Sequence, residues 1–249
     1  MARESLGLRR TAISVVVPVL ALLAVVLPDL VNPYRLFLAT LIVIFAVAGT
    51  GLVVIMGWTG QIALAHVSFL GIGVYVTNWL FSDVGVPWPI ALVLAAFLAS
   101  FIVILIGFPA ARLRGFYLAI ASLAFAELIS RLFVEVDVVT GGIAGKSIET
   151  VRLFGMSSAR SHWYMALIVA VLVFAGVHRL GGTAFGRCLR TVRDAEVATG
   201  SLGISSTNYK LFAFALSAFI AAIAGGLFGQ LLSYASPDNF HTALLIQFL

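Results

Sequence analysis

Seven apolar stretches, each long enough for a helix that crosses a bilayer, recur along this 249-residue chain and leave little else in it. Hydrocarbon offers no partner to a backbone N–H or C=O, so a crossing segment must satisfy itself as a helix, and about 20 residues cover the roughly 30 Å apolar slab. The stretches run approximately from Thr11 to Leu27, Tyr34 to Met56, Ile62 to Phe81, Trp88 to Phe108, Phe116 to Val134, Trp163 to Leu180 and Tyr209 to Ser233. With 62% hydrophobic and 10% charged residues and a mean hydropathy of +1.13, the chain is too apolar for a water-soluble globule, where about a quarter of residues are charged. The expected fold class is all-α, a polytopic transmembrane helical bundle forming a single domain over residues 1–249. The first stretch follows Arg9 and Arg10 as a signal peptide would. No small-x-small cleavage site follows it and Pro28-Asp29 ends it abruptly, so an uncleaved helix is expected. Pro237 to Leu249 opens an eighth run of about half a bilayer's worth of helix, so a truncated eighth span is expected.

Alternating spans assign every Lys and Arg to one side of the membrane. With the N-terminus in the cytoplasm, Arg3, Arg9, Arg10, Arg112, Arg114, Arg179, Arg187, Arg190, Arg193 and Lys210 lie inside, and Arg35, Arg131, Lys146, Arg152 and Arg160 outside. The bias predicts a cytoplasmic N-terminus, and it makes Glu135 to His162 a small extracytoplasmic cap. The net charge of +5 is dispersed between apolar runs, which argues against a nucleic-acid partner. A single cysteine, Cys188, excludes a disulfide framework or a thiolate metal cluster within the chain.

Gly57-Trp58-Thr59-Gly60-Gln61 interrupts two long apolar runs without a single charge. It is either a cytoplasmic turn or a break within the membrane, where irregular backbone survives only if it is buried in protein or lines a cavity. At 100° per residue, Gln61, Ala65, Ser68, Ile72 and Tyr75 share one stripe of the following helix, and His66, Gly73 and Thr77 share another. One face can line a path while the other, with Gly73 allowing close approach, packs on a neighbour. Gln61 and His66 then either line that path or hydrogen-bond to adjacent helices. Glu127 sits about 16 Å into its span, and it either pairs with Arg131 one turn later or lines the path. Candidate pathway residues are therefore Gly57, Gly60, Gln61, His66, Ser68 and Glu127.

The segment 181–208 has a different composition, with Arg187, Arg190, Arg193, Asp194 and Glu196 among its charges. Cys188, Val192, Ala195, Thr199 and Leu202 form a weakly apolar stripe opposite Arg187, Arg190, Asp194 and Ser201, as expected of a short interfacial helix. Val197 projects from the polar side, either as an anchor for a groove in a partner protein or as part of a helix resting on headgroups.

The run Arg193 to Ile204, followed by Lys210-Leu211-Phe212-Ala213-Phe214, resembles the cytoplasmic coupling loop of branched-chain amino acid ABC transporter permeases of the LivM type. Gly57-Trp58-Thr59-Gly60-Gln61-Ile62-Ala63-Leu64-Ala65-His66 is similar to that family's Gly-x-x-Gly-Gln-x-Ser-x-Gly-His segment, with Ala63 and Ala65 in place of Ser and Gly. Gly115-Phe116-Tyr117-Leu118 with Ala126-Glu127 is similar to its next block, and Thr140-Gly141-Gly142 to its third. The resemblance implies an import permease in a bacterial or archaeal cytoplasmic (inner) membrane, itself neither an enzyme nor a cofactor binder. It implies a second related permease subunit, two ATPase subunits on the cytoplasmic loops, and a periplasmic or lipid-tethered binding protein as partners. Arg193, Asp194, Glu196, Val197 and Gly200 become the expected ATPase-coupling residues. The implied substrate is leucine, isoleucine or valine, with urea or short amides as the alternative.

Thr140-Gly141-Gly142-Ile143-Ala144-Gly145-Lys146-Ser147 imitates the end of a phosphate-binding loop, but its required first glycine is Thr140, and such a loop needs a buried parallel sheet and a magnesium-holding acid, whereas this one is expected on the outer side of the membrane shortly before the next span. No base-and-orienter set accompanies His66, and Glu127 has no acidic companion, so no catalytic residue is assigned. An ion-coupled secondary transporter also suits polar breaks and a buried Glu127, yet it gives no reason for a partner-docking cytoplasmic helix.

Overall fold

The structure, a computed structural model, describes residues 26–61, 64–110, 116–152, 156–195 and 205–237. It is an all-α bundle. α1 spans Pro33–Leu52 and runs on into a π-helical segment, Val53–Trp58. α2 spans His66–Asn78 and likewise ends in a π-helical segment, Trp79–Asp83. α3 is Trp88–Ala110, α4 is Phe116–Glu135, and α5 is the short Asp137–Thr140. α6 is Ser158–Gly182, α7 is Ala184–Asp194 and α8 is Ser206–Leu232. Pro33 opens α1, where a missing N–H costs nothing.

Among the described residues, five helices are long and apolar enough to cross a membrane: Pro33–Trp58, Trp88–Leu105, Tyr117–Glu135, Ser158–Gly182 and Ser206–Leu232. They match the expected second, fourth, fifth, sixth and seventh spans. The third is a shorter helix that begins at His66. The first expected span lies outside the described residues except for Val26 and Leu27, and the helix there runs on to Leu30 instead of ending at Pro28-Asp29; the eighth lies outside them from 238 on.

α8 is the hub. Of the residues in its apolar stretch 72% are buried, against 22% for α6, which therefore sits at the rim. α8 packs on α2, α3 and α1, while α6 leans on α1. Small residues set these approaches. A Cβ on Gly73 would meet the carbonyl of Ala222 and come within 2.6 Å of its Cα, and one on Gly225 would meet the Leu70 carbonyl. Backbone therefore touches backbone where α2 crosses α8, as small-residue stripes allow in membranes.

One end of the bundle gathers the π-helical end of α1, the end of α6, α7 and the start of α8. The other is capped by the segment after α4. There β1, Lys146–Ser147, pairs antiparallel with β2, Tyr234–Ala235. Gln230 donates to Glu149 O at 2.9 Å and accepts from Val151 N at 2.7 Å, and Lys146 meets Asp83 at 2.6 Å. Gly141, Gly142 and Gly145 all carry positive φ, and Tyr234 donates to Ala144 O. The Gly-Lys-Ser stretch is thus part of a cap, in a two-stranded antiparallel pair.

Candidate functional site

The interruption after α1 is closed by its own backbone. Gly60 adopts φ +66, a left-handed conformation that favours glycine. Gly60 N then bonds Met56 O at 3.1 Å and Gln61 N bonds Ile55 O at 3.2 Å. This is the Schellman pattern with each ring lengthened by one residue, as the preceding π-helical turn requires. Thr59 Oγ1 donates to the same Ile55 O at 2.6 Å, so that carbonyl accepts twice. Gln61 is buried, and neither atom of its amide has a hydrogen-bond partner among the described residues.

Immediately after the break lies an apolar pocket of ≈ 60 Å³ between α2, α3, α4 and α8. Ala65, Phe69, Val103, Leu118, Phe125 and Phe214 are among its walls. Ser122 is its one hydroxyl, accepting from Leu64 N at 3.1 Å and donating to Ala119 O at 2.8 Å.

α7 docks against this same break. Thr183 caps it, accepting from Gly186 N at 3.3 Å, and a Cβ on Gly186 would lie 2.8 Å from Gly181 Cα, so the corner from α6 is tight. Leu189 and Val192 are fully buried and Phe185 stacks on Tyr209 with centroids 5.0 Å apart. The inward face is therefore rotated from the expected Cys188 stripe. Arg190 and Arg193 flank that buried face, themselves exposed, and reach back to the bundle with their guanidinium groups. Arg190 donates to Gly181 O at 3.0 Å and lies 5.7 Å above the Trp58 ring. Arg193 donates to Gly57 O at 2.6 Å, and its Cγ stands 3.1 Å from where a Gly60 side chain would begin. Two sets that the sequence presents as separate, the break and the interfacial helix, form one cluster. No spacing rule announces this, since 136 residues separate Gly57 from Arg193.

The other expected residues fall elsewhere. His66 is buried between α1 and α8, with Nε2 2.9 Å from Ala48 O and Nδ1 3.2 Å from Ser217 Oγ. Both ring nitrogens are satisfied, which favours a tie between helices. Ser68 is buried in α2, and Asp194 ends α7. Glu127 faces out of the bundle and pairs with Arg131 at 3.4 Å. Glu196, Val197 and Gly200 lie outside the described residues. Two groups escaped the sequence reading, Gln230, which pins the cap after α4, and Ser217, which meets His66; both sit in a run too uniformly apolar to show a polar face.

The family described as branched-chain amino acid transport system / permease component matches residues 34–249, and the chain belongs to it. The chain is 33% identical over 247 residues to the high-affinity branched-chain amino acid transport system permease protein LivM of Salmonella typhimurium and to that of Escherichia coli. Each match covers 89% of this chain and 58% of the relative, so the chain spans rather more than half the length of these relatives. A probable branched-chain amino acid transport permease protein LivM of Methanocaldococcus jannaschii is 32% identical over 144 residues, covering 55% of this chain and 41% of that protein. No solved structure is significantly similar to the chain.

Proposed function

We propose that the chain is the membrane-spanning subunit of an ATP-driven importer of branched-chain amino acids. It works with a second related permease, two ATPase subunits and a periplasmic or lipid-tethered binding protein. Family membership supports the importer, and the observation that carries the mechanism is α7 docked by Arg190 and Arg193 on the broken end of α1. An ATPase that moves α7 pulls on Gly57 O and on the Gly60 turn, and so shifts the population between two settings of the break. Arg193, Asp194 and the following Glu196, Val197 and Gly200 form the ATPase-facing stretch.

Gly57, Gly60, Gln61 and Ser68 belong to the pathway in this reading, with Gln61 as the polar contact for a zwitterion and the adjacent apolar pocket as the complement of a short branched side chain. His66 holds the surrounding helices. The N-terminus and α7 lie in the cytoplasm, since Arg179, Arg187, Arg190, Arg193 and Lys210 cluster at the end of the bundle where α7 docks.

Reconstitution with the partner subunits in liposomes tests this. Uptake of labelled leucine, isoleucine or valine requiring both ATP and the loaded binding protein is the expected result. Uptake by this chain alone, driven by an ion gradient without ATP, would overturn it. Uptake of urea or short amides in preference to leucine would leave the machinery and replace the substrate.

A further inference from the structure

Two buried amides hold the cap at the end of the bundle opposite α7, and each comes from a different helix. Asn78, the last residue of α2, donates through Nδ2 to Ser147 O at 3.3 Å and accepts through Oδ1 from Glu149 N at 3.3 Å. Gln230, near the end of α8, grips the next stretch in the same way, donating to Glu149 O and accepting from Val151 N. Between them Ile148 N donates to Ser233 O at 2.9 Å, and the Ile148 side chain lies over Gly229. From Ser147 to Val151, every hydrogen bond among the described residues therefore goes to α2, to α8 or to the residues that follow α8.

α2 and α8 meet backbone to backbone. Gly73 faces Ala222, Gly225 faces Leu70, and a Cβ on Gly229 would stand 3.7 Å from Val74 Cα, so the seam runs along most of α2. A seam of side chains can shift by changing rotamers, but a seam of backbone has none to change, so the two helices are displaced together. At the other end α8 starts beneath α7, where Phe185 meets Tyr209 at 5.0 Å and Phe212 at 4.5 Å between ring centroids. The 27 residues of α8 rise about 40 Å from that contact to the cap. α6 begins at the same end as the cap but lies at the rim, against α1 more than α8.

We propose that α2, α8 and the cap segment 147–151 move as one body during transport, and that Asn78 and Gln230 are the positioning residues that make the cap follow α7. This rests on the importer reading above, which has α7 act on the break and leaves open how its displacement reaches the opposite end. The link is a continuous series of contacts: α7 on the start of α8, α8 on α2 through glycine, and both helices on the cap through their amides.

Spin labels carried on non-canonical amino acids at the exposed positions Ser147, Ser157 and Asn208 test this in the assembled transporter in nanodiscs. Distances are read by pulsed electron paramagnetic resonance, without nucleotide and with a non-hydrolysable ATP analogue. The expected result is an unchanged distance from 147 to 208, both within the body, and a shift of about 2 Å or more from 147 to 157, between the body and α6. A changed 147 to 208 distance, or an unmoved 147 to 157 distance, overturns the proposal, while ATP-driven leucine uptake by the same preparation leaves the importer standing. Absence of that uptake in the wild-type assembly sinks both. Asn78→Leu combined with Gln230→Met keeps the side-chain volumes and removes the four amide bonds to the cap. Basal ATP hydrolysis should be unchanged, the 147 to 157 shift lost and uptake lowered about fivefold or more; uptake equal to wild type removes Asn78 and Gln230 from the transport cycle. If the double variant fails to insert, the wild-type distances alone decide.

Discussion

α2 and α4 read alike along the chain, each an apolar stretch of about bilayer length that follows a polar interruption, yet they occupy opposite environments. Every residue of α2 from His66 to Tyr75 is buried, whereas α4 buries one stripe and exposes the rest. Glycine makes the difference. Gly73 brings α2 onto the backbone of Ala222, and Gly225 and Gly229 of α8 answer it against Leu70 and Val74. α4 has no glycine from Phe116 to Glu135, so side chains hold its axis away from its neighbours. In a bilayer, where lipid tails are as apolar as leucine, hydropathy draws a segment into the membrane but does not choose its neighbours. Closeness of backbone approach chooses them.

The contrast can be broken by substitution, with unfolding in mixed detergent micelles as the measurement. Leu70→Ala on α2 should cost about 2–5 kcal/mol, because the cavity opens beneath the closest helix crossing. Gly73→Ala should cost about 1–3 kcal/mol, since the added methyl meets backbone that cannot rotate away. His66→Leu should cost about 1–2 kcal/mol by releasing Ala48 O and leaving the Ser217 hydroxyl without its ring partner. Arg193→Ala should lower overall stability by less than about 1 kcal/mol, as expected of an exposed charged contact, while hydrogen exchange in α7 rises. Leu128→Ala on α4 should change the stability of the isolated chain by less than about 0.5 kcal/mol. A cost for Leu128→Ala equal to that for Leu70→Ala would erase the distinction between the two helices.

Much of this was legible beforehand, and for identifiable reasons. The apolar runs locate α1, α3, α4, α6 and α8 because a crossing helix must be long and self-satisfied. The Gly57 to Gln61 interruption is where α1 ends, Gly73 is where a neighbour comes close, and Glu127 and Arg131 pair because four residues are one helical turn. The rotation of α7 was not legible. Its sequence offers both a Cys188 face and a Leu189 face, and the choice between them depends on Trp58, Gly181 and Tyr209, which reach it through folding. The same holds for Gln61, whose amide is isolated by its surroundings and not by anything in its own segment.

The chain's own residues therefore determine that it is a helical membrane protein, where its helices break, and which residues are polar inside the slab. Those properties follow from local backbone chemistry and the transfer of side chains out of water. Only the tertiary structure decides that the break and α7 are one site, that α8 is the hub, and that Glu127 faces outward. These depend on which helix backbones can touch, and that is a relation between segments far apart in the chain.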